Sequence, residues 1–103
     1  MIKTKGRLNK ILVEVKIYYF KVFRKGSISL TLHFGATVSD AFNQLNEQFG
    51  EAFEKETGKN FMETLGSYFN VFLNGKYVDL PSGLKIKLRE KDQLMILRPV
   101  GGG

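Results

Sequence analysis

At 103 residues, 43% of them apolar and 13% aromatic, the chain has enough large side chains for one small globular domain with one core. It contains no cysteine, which excludes disulfides, thiolate metal sites and a cysteine nucleophile, and fits a reducing cytoplasm. The formal charge of +6 is unevenly placed: residues 1–25 hold eight basic side chains against Glu14 alone, and the remaining residues hold eight against nine acids.

Met1 to Lys10 has little apolar periodicity and reads as a flexible basic extension, without the apolar segment of a secretory signal. No apolar run approaches the length of a membrane span, so no membrane partner is expected. A basic arm can touch nucleic acid or an acidic protein face. Solvated lysines are the commoner reason for such a run, and the K/R-G-F/Y pattern of RNA-recognition motifs is absent, so nucleic acid is not an expected partner.

From Ile11 to Phe23 the residues are strongly β-forming, with Val13, Val15 and Ile17 alternating against Glu14 and Lys16. Arg24, Lys25 and Gly26 form a turn. Ile28, Leu30, Leu32 and Phe34 then alternate with Ser27, Ser29, Thr31 and His33, which predicts a strand with one core face and one wet face. Thr37 and Asp40 resemble a helix N-cap, and Val38, Ala41, Phe42, Leu45 and Phe49 follow at helical spacing, with Gly50 as the predicted stop. Glu51 to Gly66 reads as a short second helix or helical turn within a long connection. Tyr68 to Leu73 is a third strand, Asn74-Gly75 a hairpin turn and Lys76 to Val78 a short fourth strand. After a turn at Pro81, Ser82 and Gly83, Leu84, Ile86 and Leu88 alternate with Lys85, Lys87 and Arg89, and a last strand leads into L-M-I-L-R-P-V-G-G-G. A right-handed crossover puts a strand that follows a helix parallel to its partner, so the last strand is expected beside the first, at the centre of the sheet.

The predicted class is therefore α+β: a β-grasp fold with a mixed four- to five-stranded sheet and one main crossing helix. It divides into a flexible extension (1–10), a β-grasp domain (11–98) and a flexible glycine tail (99–103). Glycine has no Cβ, so Gly101, Gly102 and Gly103 can lie extended in a narrow channel with the terminal carbon open to attack. The element order, the T-V-S-D helix start, the N-V-F-L-N-G-K hairpin and the ending L-R-E-K-D-Q-L-M-I-L-R-P-V-G-G-G together resemble the ubiquitin-like sulfur carriers of the molybdopterin synthase small subunit (MoaD) family. The longer middle segment is similar to archaeal members, some of which act as protein modifiers. Leu88, Asp92, Pro99, Val100, Gly102 and Gly103 match the family ending, whereas Lys91 stands for its usual Gly and Arg98 for the first of two prolines.

The resemblance implies that an adenylating enzyme of the ubiquitin-activating type, using Mg-ATP, activates the Gly103 carboxylate. Sulfide donation then gives a thiocarboxylate that serves molybdopterin (Mo/W cofactor) synthesis in the synthase large subunit. Pro99, Val100, Gly101 and Gly102 form the threading tail. No cofactor is expected on this chain itself, since ATP, magnesium and zinc belong to the partner, and no P-loop, metal-ligand spacing or Ser/His/Asp arrangement is present. A protein modifier that joins Gly103 to target-protein lysines uses the same tail, and a plain β-grasp binding module leaves it idle.

For docking, alternation sends Leu94, Ile96, Val71 and Leu73 inward and Met95, Leu97 and Phe72 outward, joined into one apolar patch. A cover from Glu51 to Gly66, or a register shifted by one, would instead bury them. His33 reads as solvated, Asp79, Glu90 and Asp92 as turn residues, and Phe42, Phe49, Phe69 and Tyr77 as core.

Overall fold

Alternation builds the first half of the sheet. In a computed structural model that describes residues 9–17 and 26–97, strand β1 (Lys10–Ile17) pairs antiparallel with β2 (Ser27–His33), Val13 lying opposite Leu30 and Ile11 opposite Leu32. Ile11, Val13, Val15 and Ile17 are all buried, with Glu14 and Lys16 between them on the other face. The part of the predicted first strand beyond Ile17 lies outside the described residues. Gly26, at φ +68°, precedes β2, and Arg24 and Lys25 of the predicted turn lie outside the described residues.

Phe34 departs from expectation. Its side chain is 71% exposed although it continues the Ile28, Leu30, Leu32 alternation. The ladder ends with the Phe34 N–H donating to the Asn9 carbonyl, and the Ala36 N–H then turns back to the His33 carbonyl, so Phe34 sits on a turn rather than on the core face.

The helix start is a complete capping box. The Thr37 hydroxyl accepts from the Asp40 N–H at 3.3 Å, and the Asp40 carboxylate accepts from the Thr37 N–H at 2.9 Å. Helix α1 then runs Val38–Thr57, straight through the predicted stop at Gly50. The apolar stripe explains this: Phe42, Leu45 and Phe49 are followed one turn later by Phe53, which is fully buried. Burying one large apolar side chain stabilises by about 1.5–3 kcal/mol, more than the roughly 0.5–1 kcal/mol that an interior glycine costs. The helix ends instead at Gly58, whose φ of +76° suits a residue without Cβ and whose N–H closes on the Glu54 carbonyl at 2.7 Å.

A one-turn helix α2 (Phe61–Thr64), capped by the Asn60 side chain, places Phe61 edge-on to Phe53 at 5.3 Å between ring centroids; Phe69 lies 6.2 Å from Phe53. Strand β3 (Asn70–Leu73) and β4 (Lys76–Val78) close around Asn74 and Gly75, both at positive φ (50° and 86°), the pair that a two-residue hairpin with matching twist requires. The alternating stretch 84–88 forms no strand. Ser82–Lys85 is a 3-10 turn, Ile86 is 39% exposed, and Lys87 makes a single antiparallel bridge to Thr37, leaving Leu88 as the buried member. Alternation there lacks a neighbouring strand to pair with along its length.

Strand β5 (Gln93–Leu97) runs parallel to β1 and antiparallel to β3, giving the order β2-β1-β5-β3-β4. The last strand in sequence is thus the middle one in space, as the crossover rule demanded. The fold is the expected α+β β-grasp, a mixed five-stranded sheet with one main helix. Leu94 and Ile96 are fully buried in a core shared with Phe42, Leu45 and Phe53.

Candidate functional site

The helices cover one face of the sheet, and the other face carries the candidate site. Every described strand side chain on that second face, from Leu12 and Lys16 on β1 to Tyr77 on β4, is half-buried or exposed. Phe72 of β3 lies directly opposite Met95 of β5, Asn70 opposite Leu97, and Lys16 of β1 beside Met95. Phe72, Met95 and Leu97 are therefore brought together and half-buried, as alternation required, with Leu94 and Ile96 beneath them in the core. The segment Glu51–Gly66 does not bury them: its Phe53 and Phe61 pack into the core on the helix face.

Tyr77 corrects an expectation, that of a core position beside Phe42, Phe49 and Phe69. Phe42 and Phe69 are fully buried and Phe49 half-buried, but Tyr77 is 58% exposed. The hairpin register pairs Tyr77 with Phe72, so both point to the open face, and their rings meet edge to face at 5.8 Å and 71°. The signal is in the sequence: a two-residue turn at Asn74-Gly75 fixes the pairing of residues 72 and 77, and alternation along β3 sends Phe72 outward. The patch is therefore Phe72, Tyr77, Met95 and Leu97.

Polar side chains fix the strands that carry this patch. Asn74 Oδ1 accepts from the Gln93 N–H and its Nδ2 donates to Asp92 Oδ1, each at 2.9 Å, which locks the β3–β4 turn to the start of β5. Asp92 Oδ2 accepts from the Arg89 N–H at 2.7 Å, Glu90 Oε1 from the Leu12 N–H at 2.8 Å, and Asp79 Oδ2 from the Ser82 hydroxyl at 3.2 Å. All three acids hold turns, in agreement with their reading. His33 is exposed, with Nε2 3.5 Å from Asp40 Oδ2. Bonding to the Thr37 backbone N–H, with lesser help from the Thr37 hydroxyl and the His33 ring, outweighs desolvation and holds the Asp40 carboxyl below its ordinary pKa of 3.8.

Among the described residues no group of three His, Asp or Glu side chains could hold a metal ion, and no helix is long and apolar enough to cross a membrane. Leu97 is the last described residue, so Pro99, Val100, Gly101, Gly102 and Gly103 lie outside the described part of the chain. What the described residues supply is an apolar face on the strand that leads directly into that tail.

This arrangement defines a ubiquitin-like β-grasp protein with an apolar face beside its C-terminal strand. The chain belongs to the ThiS family, whose profile matches residues 17–103. Among solved structures it is similar to small archaeal modifier protein 1 from Methanosarcina acetivorans, with a TM-score of 0.65 and 22% identity over 91% of this chain and 98% of that one. It is also similar to small archaeal modifier protein 1 from Haloferax volcanii, with a TM-score of 0.62 and 22% identity over 89% and 99%. A Pyrococcus furiosus protein assigned as molybdopterin converting factor subunit 1 gives a TM-score of 0.61 and 25% identity over 87% and 99%. No curated protein matches the chain in sequence. The resemblance drawn from the terminal motif is thus borne out at the level of the ThiS/MoaD-type ubiquitin-like family.

Proposed function

We propose that this chain is a sulfur carrier that acts through a free carboxylate on Gly103. The observation that carries the reading is the placement of β5: the strand leading into R-P-V-G-G-G lies at the centre of the sheet, and its outer side chains, Met95 and Leu97, form part of the apolar patch. A rigid body then docks while the tail reaches onward. The family match running to residue 103 supports the same reading.

In the proposed chemistry a Gly103 carboxylate oxygen attacks the α-phosphate of Mg-ATP bound to a ubiquitin-activating-type enzyme and releases pyrophosphate. Sulfide then displaces AMP from the acyl adenylate and leaves a thiocarboxylate. Pro99, Val100, Gly101 and Gly102 thread the partner's channel, and Phe72, Met95 and Leu97, extended by Tyr77, dock its surface. Ordering the tail takes about 1–2 kcal/mol per residue, so docking of the patch must offset it. The receiving enzyme in this reading is a molybdopterin synthase large subunit, which the likeness to the Pyrococcus furiosus protein favours.

A second reading, a modifier that joins Gly103 to lysines of target proteins, is favoured by the likeness to small archaeal modifier proteins. One experiment separates the two. Intact-mass measurement after incubation with the activating enzyme, ATP and a sulfur donor is expected to show one oxygen replaced by one sulfur, abolished by deleting Gly103. A ladder of heavier conjugates lost with that deletion would select the modifier, and unchanged mass with no conjugates would overturn both.

A further inference from the structure

Strand β2 is an edge of the sheet with nothing on its outer side among the described residues. The ladder with β1 fixes which of its backbone groups are free. The Ile17 N–H donates to the Gly26 carbonyl and the Phe34 N–H to the Asn9 carbonyl, so in this register the even-numbered residues of β2 bond to β1. The N–H and C=O groups of Ser27, Ser29 and Thr31, and the N–H of His33, therefore point away from the sheet. The His33 carbonyl is taken by the Ala36 N–H.

Natural sheets guard such an edge with lysine, proline or a bulge. This one has none. The chain carries sixteen Lys and Arg, yet S-I-S-L-T-L-H includes neither, nor any acid or proline, and pairs with β1 residue for residue. The edge is also incompletely covered on its apolar side, where Ile28 remains half-buried beside the fully buried Leu30.

We propose that β2 is a strand-addition site whose occupant is a second copy of this chain, paired antiparallel about an axis through Leu30. That register is the one that matches the whole of Ser27–His33 with itself. Ser29 and Thr31 of a second copy then exchange N–H···O=C bonds on each side of the axis, and each His33 N–H reaches the Ser27 carbonyl across it. On the helix face Leu30 meets Leu30 and Ile28 meets Leu32, so the half-open Ile28 is covered. On the other face Ser29 meets Thr31 and Ser27 meets His33, and no Lys, Arg, Asp or Glu of the strand lies opposite a like charge, which is why a strand without them in a basic chain favours self-pairing. The patch on β3, β4 and β5 is on the opposite side of β1 from this edge, so pairing leaves it accessible. Each copy carries a formal +6, so added salt should strengthen the association by screening, the reverse of a charge-paired interface.

Sedimentation velocity of the full chain across a concentration series tests the proposal. A monomer–dimer equilibrium that tightens with salt is expected. Thr31→Pro should weaken it roughly tenfold or more while leaving the monomer folded, because the Thr31 N–H makes no bond to β1 and proline is tolerated on sheet edges. Should Thr31→Pro lose its cooperative melt, Ser29→Lys, an exposed position, carries the same test. A chain that stays monomeric at every concentration overturns the proposal, as does a dimer that survives both substitutions in folded protein. A chain monomeric alone that takes up an extended peptide from another protein along β2 would assign the edge to that peptide and overturn self-pairing.

Discussion

Phe72 and Met95 face each other across the β3–β5 ladder, on the side of the sheet away from the helices, one strand from the ring of Tyr77. Their half-burial comes from each other and from neighbouring strands, so truncating one should disturb the fold little. In the proposed carrier, Phe72→Ala should raise the Kd for the activating enzyme about tenfold or more, the range of interface anchors. Titration calorimetry beside a thermal melt measures both. Unchanged affinity in folded protein would remove Phe72 from the docking face.

The extension of α1 past Gly50 makes Phe53 a core residue and Phe49 a boundary one. Phe53→Ala should cost about 3–5 kcal/mol, a large share of the roughly 5–15 kcal/mol available to a domain. Phe49→Ala should cost clearly less. Urea midpoints of the two variants decide the matter, and equal losses would refute the helix path.

Two glycines of this helix should respond oppositely to alanine. Gly58, at φ +76°, has open space where a methyl group would stand, so the loss of roughly 1–2 kcal/mol on Gly58→Ala is purely conformational. At Gly50 a Cβ meets only the Asn46 side chain, whose Oδ1 can rotate aside, so Gly50→Ala should gain up to about 1 kcal/mol. Opposite shifts in melting temperature are the expected result.

Thr37→Ala removes the cap and should lower stability by about 1 kcal/mol, a shift in Tm of about 4–8 °C for a domain of this size. The Asp40 carboxyl, depressed below 3.8 in the folded chain, binds protons less readily there than when unfolded. Its contribution is therefore complete above the ordinary carboxylate range and is lost as pH falls through the lowered value. Asp40→Asn should flatten the acid limb of the stability curve below the ordinary carboxylate pKa of 3.8.

Local chemistry makes much of this legible. The Thr37–Asp40 box, the Asn74-Gly75 turn and the alternation of Leu30 and Leu32 each encode their conformation within a few residues. Gly50 misleads because its penalty is local while the compensation from Phe53 is tertiary. Phe34 misleads because alternation does not show where the chain turns, and the stretch 84–88 misleads because alternation says nothing about whether a neighbouring strand exists to pair with it. Tyr77 is readable only by carrying register through the hairpin, and its aromatic character draws it wrongly into the core.

The central position of β5 also sets an order of events. Without Gln93–Leu97 the sheet falls into two separate hairpins, β1–β2 and β3–β4, and an isolated hairpin is marginal in water. Assembly of the sheet therefore waits for its joining strand, and the residues that follow Leu97 are presented on a folded body only once that strand is in place.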